Sequence, residues 1–111
     1  MKAIRFNSAA FSMAVSIAAL TLSGAVLAQD AAKLAQDKAC LACHAVDKKL
    51  VGPSFKDVAA KYKTDKNADA NLAKKIRAGG VGAWGQIPMP ANAGVSEKEA
   101  GILAKWVLSQ K

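Results

Sequence analysis

The sequence predicts an all-α fold in which four helices form one small domain. Apolar residues recur at the helical spacing of three and four in four separate segments, and glycine and proline cluster between these segments. No strand–helix–strand pattern is visible. The first predicted helix starts at Asp30, a candidate N-cap, and runs through Leu34 and Leu41 to about His44.

The second and third helices are predicted on either side of a polar connection at residues 64–67. The second starts at Ser54, and its buried face is formed by Phe55, Val58, Ala59 and Tyr62. The third spans about residues 69–78, with Leu72 and Ile76 on its inner side. It ends at a glycine pair, because glycine readily takes the left-handed conformation that helix ends often need.

Residues 79–94 predict an irregular loop, since five glycines and two prolines in this stretch disfavour a regular helix or a central strand. The loop also contains Trp84, Ile87 and Met89, so it is too apolar to be simply disordered and is expected to be functional. The last helix starts at Ser96, which forms a capping box with Glu99.

Residues 1–28 have the layout of a cleaved secretory signal peptide. Lys2 and Arg5 precede an apolar run, and small residues lead to a predicted cut between Ala28 and Gln29. A membrane anchor is the alternative, because residues 9–28 are just long enough to span a bilayer, although serine, threonine and glycine dilute them. Removing 28 of the 111 residues leaves 83, which we expect to form a single domain, residues 29–111.

The predicted mature chain is basic. Loss of Lys2 and Arg5 lowers the formal net charge from +8 to +6, because every acidic residue lies after the cut. Nucleic acid is disfavoured as a partner, since no basic stripe with interleaved aromatic residues is present and export removes the chain from the genome. The charge instead favours association with acidic protein surfaces or anionic lipid.

Residues 40–44, Cys-Leu-Ala-Cys-His, predict one covalently bound haem c. On one helical turn the thiols of Cys40 and Cys43 can add to the two vinyl groups of haem, while His44 ligates the iron. A disulfide or a thioredoxin-like pair is the alternative, but the latter expects a βαβ pattern. A structural zinc site would lack its fourth ligand.

Met89 is the predicted sixth iron ligand. His44 is the only histidine, and the other two methionines, Met1 and Met13, leave with the signal peptide. Pro88 and Pro90 flank Met89 and stiffen its backbone. The alternative is a methionine that only fills core space. His/Met ligation raises the reduction potential and leaves no open iron position, which favours a carrier over a catalyst.

Four segments together resemble the small bacterial class I cytochromes c, most closely the c-551 type; they are residues 40–44, 51–53, 84–90 and 104–108. The resemblance implies a four-helix cytochrome c fold wrapped around one covalently attached haem. It also implies a periplasmic, non-enzymatic protein that shuttles single electrons between respiratory or denitrification redox proteins. We expect a monomer that meets a membrane only as the uncleaved precursor or in partner complexes.

The same resemblance assigns supporting roles around the haem. The carbonyl of Pro53 would accept a hydrogen bond from the Nδ1 of His44, and Asn92 would donate to the sulfur of Met89. The indole of Trp84 would donate to one haem propionate. The expected cofactor-binding residues are therefore Cys40, Cys43, His44, Met89, Pro53, Trp84, Lys75 and Asn92.

Lys75 is assigned to the other propionate, although Arg77 also fits. The family carries an arginine at the preferred position, so lysine departs from its bidentate contact. Gly94 is a second departure, because the family pattern has no extra glycine before Val95.

The resemblance also implies a docking surface for acidic redox partners. Its apolar rim would be Leu41, Leu50, Val51 and Ile87, and its basic ring Lys38, Lys48 and Lys49. The lysines can equally serve solubility alone.

The rival function is a haem enzyme or gas-binding module with an open sixth iron position. Such a protein would need a distal acid–base group, usually histidine, and no second histidine exists. A thiol–disulfide protein without haem is a third class, separated by whether the mature mass includes haem.

Overall fold

The computed structural model describes residues 23–111, which form four α-helices, a short 3-10 turn and one β-hairpin. The elements are α1 (Ser23–Asp37), the 3-10 turn Cys40–Ala42, α2 (Phe55–Lys61), α3 (Ala68–Ala78), β1 (Gly80–Gly82), β2 (Gly85–Met89) and α4 (Glu97–Leu108). The predicted four-helix fold is confirmed. The charged start and most of the apolar run of the predicted signal peptide lie outside the described residues.

The first helix differs from the prediction at both ends. Residues 23–29 are already helical, so Asp30 is an interior residue and not an N-cap, and the predicted cut after Ala28 lies within α1. The helix ends at Asp37 because Ala39 takes a left-handed conformation, with φ of 60°, before the 3-10 turn. Apolar spacing continues through this break, so periodicity could not reveal it.

The caps of the second and fourth helices are confirmed. The backbone N–H of Asp57 donates to Oγ of Ser54 at 3.0 Å. At the start of α4, the N–H of Glu99 donates to Oγ of Ser96 at 3.1 Å, and the N–H of Ser96 donates to the Glu99 carboxylate at 3.0 Å. These bonds satisfy donors that a helix start would otherwise leave unpaired, and they fix where each helix begins.

The predicted irregular loop contains an antiparallel β-hairpin. Gly80 pairs with Met89 and Gly82 pairs with Gly85. The glycines that argued against regular structure enable this turn, since Gly82 and Gly85 have φ of +102° and +111°, which L side chains rarely adopt. The hairpin follows directly from Gly79, which ends α3 with φ of +73°.

Helix α4 is the centre of the packing and contacts α1, α2 and α3. One buried cluster comprises Ala35, Val95, Ala100 and Leu103, and a second comprises Phe55, Val58 and Val107. Trp106 and Cys40 pack against both clusters and so join them. Of the helices in the described part of the chain, none is long and apolar enough to cross a bilayer.

Candidate functional site

A cavity of about 530 Å³ brings the predicted site residues together. All the residues assigned to the cofactor line it, whereas the alternative propionate ligand Arg77 does not. Its volume is within the range of roughly 300–1,000 Å³ that is usual for ligand and cofactor sites. The lining is mostly apolar, and its walls come from the segments around the 3-10 turn, from α2, α3 and α4, and from the hairpin.

The two cysteines lie on one tight turn. The backbone N–H groups of Cys43 and His44 both donate to the carbonyl of Cys40, at 3.3 and 3.0 Å. Both thiols are free and half-buried, so no disulfide joins them. Burial raises the pKa of the Cys40 thiol, which keeps it protonated and slow in disulfide exchange. The arrangement suits two separate covalent attachments better than a redox pair.

His44 is fixed by three neighbours. Its Nδ1 lies 2.7 Å from the carbonyl oxygen of Pro53, and because that oxygen can only accept, Nδ1 carries the proton and Nε2 keeps a free lone pair. The imidazole stacks on Phe55 with ring centroids 5.3 Å apart. A Cβ at Gly52 would collide with the same ring. The ring therefore has little freedom to turn.

Met89 reaches the cavity from a different part of the chain. It is the last residue of β2 and is half-buried. At the base of the hairpin, a Cβ on Gly79 would meet the backbone of Met89 and Ala91, so glycine permits the close approach of these segments. The hairpin register and this approach place Met89 beside the same cavity as His44.

Asn92 lies at the cavity wall, but its side-chain amide donates to the carbonyl of Lys38 at 3.2 Å. An amide carries a second N–H, so the bond to the Met89 sulfur stays a prediction. The observed bond instead connects the segment after Met89 to the end of α1.

The two candidate propionate ligands are separated by the fold. The side chain of Lys75 lines the cavity and lies against Gly80. Nε of Arg77 donates to the carbonyl of Val95 at 3.3 Å, outside the cavity lining. Trp84 also lines the cavity, with 42% of its surface exposed.

Large apolar side chains are exposed at six positions, namely Leu41, Leu50, Val51, Val81, Trp84 and Ile87. They include the four expected rim residues, and Val51, Val81, Trp84 and Ile87 also line the cavity. Lys48 and Lys49 are exposed nearby in sequence. Lys38 differs, because its Nζ donates to the carbonyl of Gly94 at 2.7 Å and lies 3.6 Å from the Glu99 carboxylate. Lys38 is therefore a structural contact and not a free docking charge.

Sequence reasoning missed three residues that shape the site. Phe55 was expected only in the core, yet it stacks on His44. Gly52 was assigned no role beyond its place in residues 51–53, yet it makes room for the imidazole. Lys61 places its Nζ 4.5 Å from the centre of the Trp84 ring, and no local pattern indicates that contact. Gly52, directly before Pro53, was the sequence feature that could have indicated a close approach to His44.

The residues present fit haem c. Two unpaired thiols stand one turn apart beside an imidazole whose Nε2 is available, and a thioether lines the same largely apolar cavity. This donor set combines covalent attachment with soft and imidazole ligands, as c-type haem requires.

Comparison with known proteins gives the same result. A family model described as cytochrome c matches residues 28–111. Cytochrome c-551 from Pseudomonas aeruginosa is 61% identical over 72 residues, covering 65% of this chain and 68% of that protein. Cytochrome c-551 from Azotobacter vinelandii is also 61% identical over 72 residues, covering 65% of this chain and 87% of that protein.

Solved structures agree with the fold. The crystal structure of wild-type Nitrosomonas europaea cytochrome c552 superposes with a TM-score of 0.71 and 51% identity, covering 72% of this chain and 99% of that one. The predicted resemblance to small bacterial cytochromes c, with haem c as the cofactor, is confirmed. Since the family model spans the whole region that builds the cavity, the chain belongs to the cytochrome c family.

Proposed function

We propose that residues 29–111 act as a one-electron carrier in the periplasm, with His44 and Met89 as the two axial iron ligands. One observation carries the proposal: the chain's only histidine and the one methionine of residues 29–111 line the same cavity as both cysteines. No other imidazole or thioether in residues 29–111 could complete the ligand set.

Haem c, when bound, supplies an iron that changes by one electron, and His/Met ligation raises its reduction potential. The protein's part is to keep the ligands still during that change. Pro53 holds the protonated Nδ1 of His44, and Phe55 supports the ring face, so the imidazole orientation need not change between oxidation states. No proton transfer is required of either residue.

Two further residues are proposed for the propionates. The indole N–H of Trp84 and the ammonium of Lys75 each line the cavity and are donors that a carboxylate accepts. Lysine provides a point charge where arginine would provide a planar fork, so its contact is less directional.

A haem enzyme needs an acid–base group near the iron, and histidine is the usual one. The chain's only histidine is the proposed axial ligand, and its Nδ1 proton is held by Pro53. The donor set therefore favours electron transfer over a gas-binding or catalytic site.

Export and cleavage after Ala28 remain part of the proposal. The layout of residues 1–28 supports them. In the structure the cut lies inside α1, and the buried residues Ala31 and Ala35 lie after it. Removal of the leader therefore leaves the contacts of these two residues in place.

The proposed docking surface combines the exposed rim residues Leu41, Leu50, Val51 and Ile87 with Lys48 and Lys49. Weak redox complexes bury little area, and charge complementarity mainly raises their association rate. The two lysines suit an acidic redox partner that associates only briefly with a monomeric carrier. Membrane contact is proposed only for the uncleaved precursor or within partner complexes.

The deciding experiment is Met89→Ala in the purified haem protein. Loss of the thioether should lower the reduction potential by on the order of 0.1 V, within the span of about 0.8 V that axial ligands cover. It should also remove the far-red charge-transfer band of ferric methionine ligation and let carbon monoxide bind the ferrous protein at neutral pH.

Gln86→Ala, at an exposed position of the same strand outside the cavity lining, is the matched control and should leave both properties unchanged. If Met89→Ala keeps the wild-type potential and binds no carbon monoxide, Met89 is not the axial ligand.

A further inference from the structure

We propose that Lys61 is a positioning residue that holds the tip of the β1–β2 hairpin, and through it Met89, against the haem. This inference deepens the proposed function and rests on it. It assigns a role to a side chain that lies in α2, outside the cavity lining.

The contacts of Lys61 converge on the hairpin tip. Its Nζ donates to the carbonyl of Ala83 at 2.7 Å and lies 4.5 Å above the centre of the Trp84 ring. It also lies 5.9 Å from the centre of the Tyr62 ring. One ammonium therefore binds a tip carbonyl and an aromatic face at the same time, which a neutral side chain cannot do.

The hairpin needs such an anchor. A two-stranded hairpin is at best marginally stable by itself, and most side chains of β1 and β2 are exposed. Its base is attached to α3 through neighbouring backbone bonds, from Gly79 to Lys75 at 2.7 Å and from Asn92 to Ile76 at 3.2 Å. Within residues 23–111, the Lys61–Ala83 bond is the side-chain hydrogen bond that joins the tip to a helix.

The tip depends on the contact with Lys61 because the glycines on either side of it have no side chains that could pack. Gly82 and Gly85 flank Ala83 and Trp84, and a Cβ on either would meet nothing within 4 Å. The turn is therefore flanked by space and not by packed side chains. Without Lys61, the restraints on the turn would be the cross-strand pairing and the contacts of Ala83 and Trp84 at the cavity wall.

Strand β2 links the Lys61 contact at the tip to the position of Met89. The strand begins at Gly85, next to the residues that Lys61 contacts, and ends at Met89. Gly82 pairs with Gly85 at one end and Gly80 with Met89 at the other, so a tip that lifts away loosens the pairing that positions Met89. Lys61 thereby closes the methionine side of the cavity and keeps Trp84 in its wall.

The test compares Lys61→Met, Lys61→Arg and Lys63→Met in the haem-loaded protein. Lys61→Met keeps the length of the side chain but removes its charge and donors, and Lys61→Arg retains both. Lys63→Met removes the same charge from an exposed residue two positions further on. Two quantities are measured: the rate at which imidazole displaces the methionine from ferric iron, and amide hydrogen exchange in residues 80–89 and in α4.

Lys61→Met should raise both the imidazole rate and the exchange of residues 80–89 by about tenfold, the equivalent of one lost contact of ~1.4 kcal/mol. Lys61→Arg and Lys63→Met should stay within about twofold of the wild type, and α4 exchange should not change in any variant. This pattern identifies local opening of the hairpin as the effect of losing Lys61.

Unchanged hairpin exchange in Lys61→Met would overturn the proposal, and so would an equal rise in α4, which indicates global destabilisation. An equal effect of Lys63→Met would also overturn it, because net charge would then be the cause. If the proposed methionine ligation were wrong, the wild-type protein itself would lack the methionine charge-transfer band. Exchange in residues 80–89 would still decide the role of Lys61.

Discussion

Residues 40–55, the histidine segment, and residues 79–92, the methionine segment, meet at one cavity but are held in different ways. In the histidine segment, His44 is fixed by a carbonyl bond, a stacked ring and a close glycine. The methionine segment is a largely exposed hairpin, attached at its base by backbone bonds and the side-chain amide of Asn92, and at its tip by one lysine.

The two segments differ in how easily each can open to solvent. Phe55 is 4% exposed and contacts Trp106, which packs on both core clusters, so displacing His44 disrupts the core of the protein. The hairpin has few buried side chains, and such regions open with free energies well below that of global unfolding. We therefore expect ligand exchange at the iron to begin on the methionine side.

Phe55→Ala should have the largest effect on the stability of the protein. It removes a buried ring that packs on both His44 and Trp106, so the free energy of unfolding should fall by about 3–5 kcal/mol. Guanidinium unfolding of the haem protein measures this loss. Phe55→Leu is the control and should cost less, since it keeps most of the apolar volume. A loss below about 1 kcal/mol for Phe55→Ala would contradict the tight packing assigned to this side.

Gly79→Ala tests the base of the methionine segment. Gly79 has φ of +73° and ψ of −173°, a region almost restricted to glycine, and the new Cβ would also meet backbone atoms. We expect a loss of about 1–3 kcal/mol in the free energy of unfolding and a weaker methionine charge-transfer band.

Gly82→Ala separates the two causes in that experiment. Gly82 also has positive φ, but a Cβ there meets nothing within 4 Å. Its cost should come from the backbone conformation alone and be smaller. Equal losses in both variants would show that the close approach of Gly79 to Met89 contributes nothing.

The two segments also differ in charge. The histidine segment carries Lys48 and Lys49, whereas residues 80–89 contain no charged residue. Exchanging both lysines for glutamate should slow electron transfer to the anionic oxidant ferricyanide by about tenfold at low ionic strength, and less at high salt. Stopped-flow kinetics measure the rate, and the double variant Lys98→Glu/Lys105→Glu, on exposed positions of α4, is the charge-matched control. If the two double variants slow the reaction equally, net charge and not the position of Lys48 and Lys49 is responsible.

The smallest expected effect concerns Glu99, which lies at the start of α4 and pairs with Lys38, just after α1. Hydrogen bonds from Ser96 and the nearby charge of Lys38 lower the pKa of Glu99. Its stabilising contribution is therefore present above the pKa of the unfolded chain and is lost as the pH falls through the lower folded value. The difference in Tm between Glu99→Gln and the wild type should shrink between pH 7 and pH 3. A difference that does not depend on pH would mean that the carboxylate charge plays no part.

The sequence was most informative where chemistry is local. The spacing of Cys40, Cys43 and His44, and the count of one histidine and one remaining methionine, pointed to residues that the fold brings to one cavity. The caps at Ser54 and Ser96 were equally predictable, because capping depends on residues three positions apart.

Features that depend on distant contacts were not predictable in this way. Ala39 adopts positive φ although alanine disfavours it, so the surrounding packing and not its own propensity ends α1 there. The glycines of the hairpin have the same composition as a loop, and only strand pairing distinguishes the two. Lys61 reaches across 22 positions to Ala83, a separation that no periodicity reports.

The shared cavity also bears on the order of folding. His44 and Met89 are 45 positions apart (89 minus 44), so with the proposed ligands the iron closes a loop that contains α2, α3 and the hairpin. Closing a loop of that length costs on the order of 3 kcal/mol of chain entropy, which favours formation of the methionine bond late, after the helices have shortened the loop. With no second histidine in the chain, a competing imidazole cannot trap the iron while that bond is still unmade.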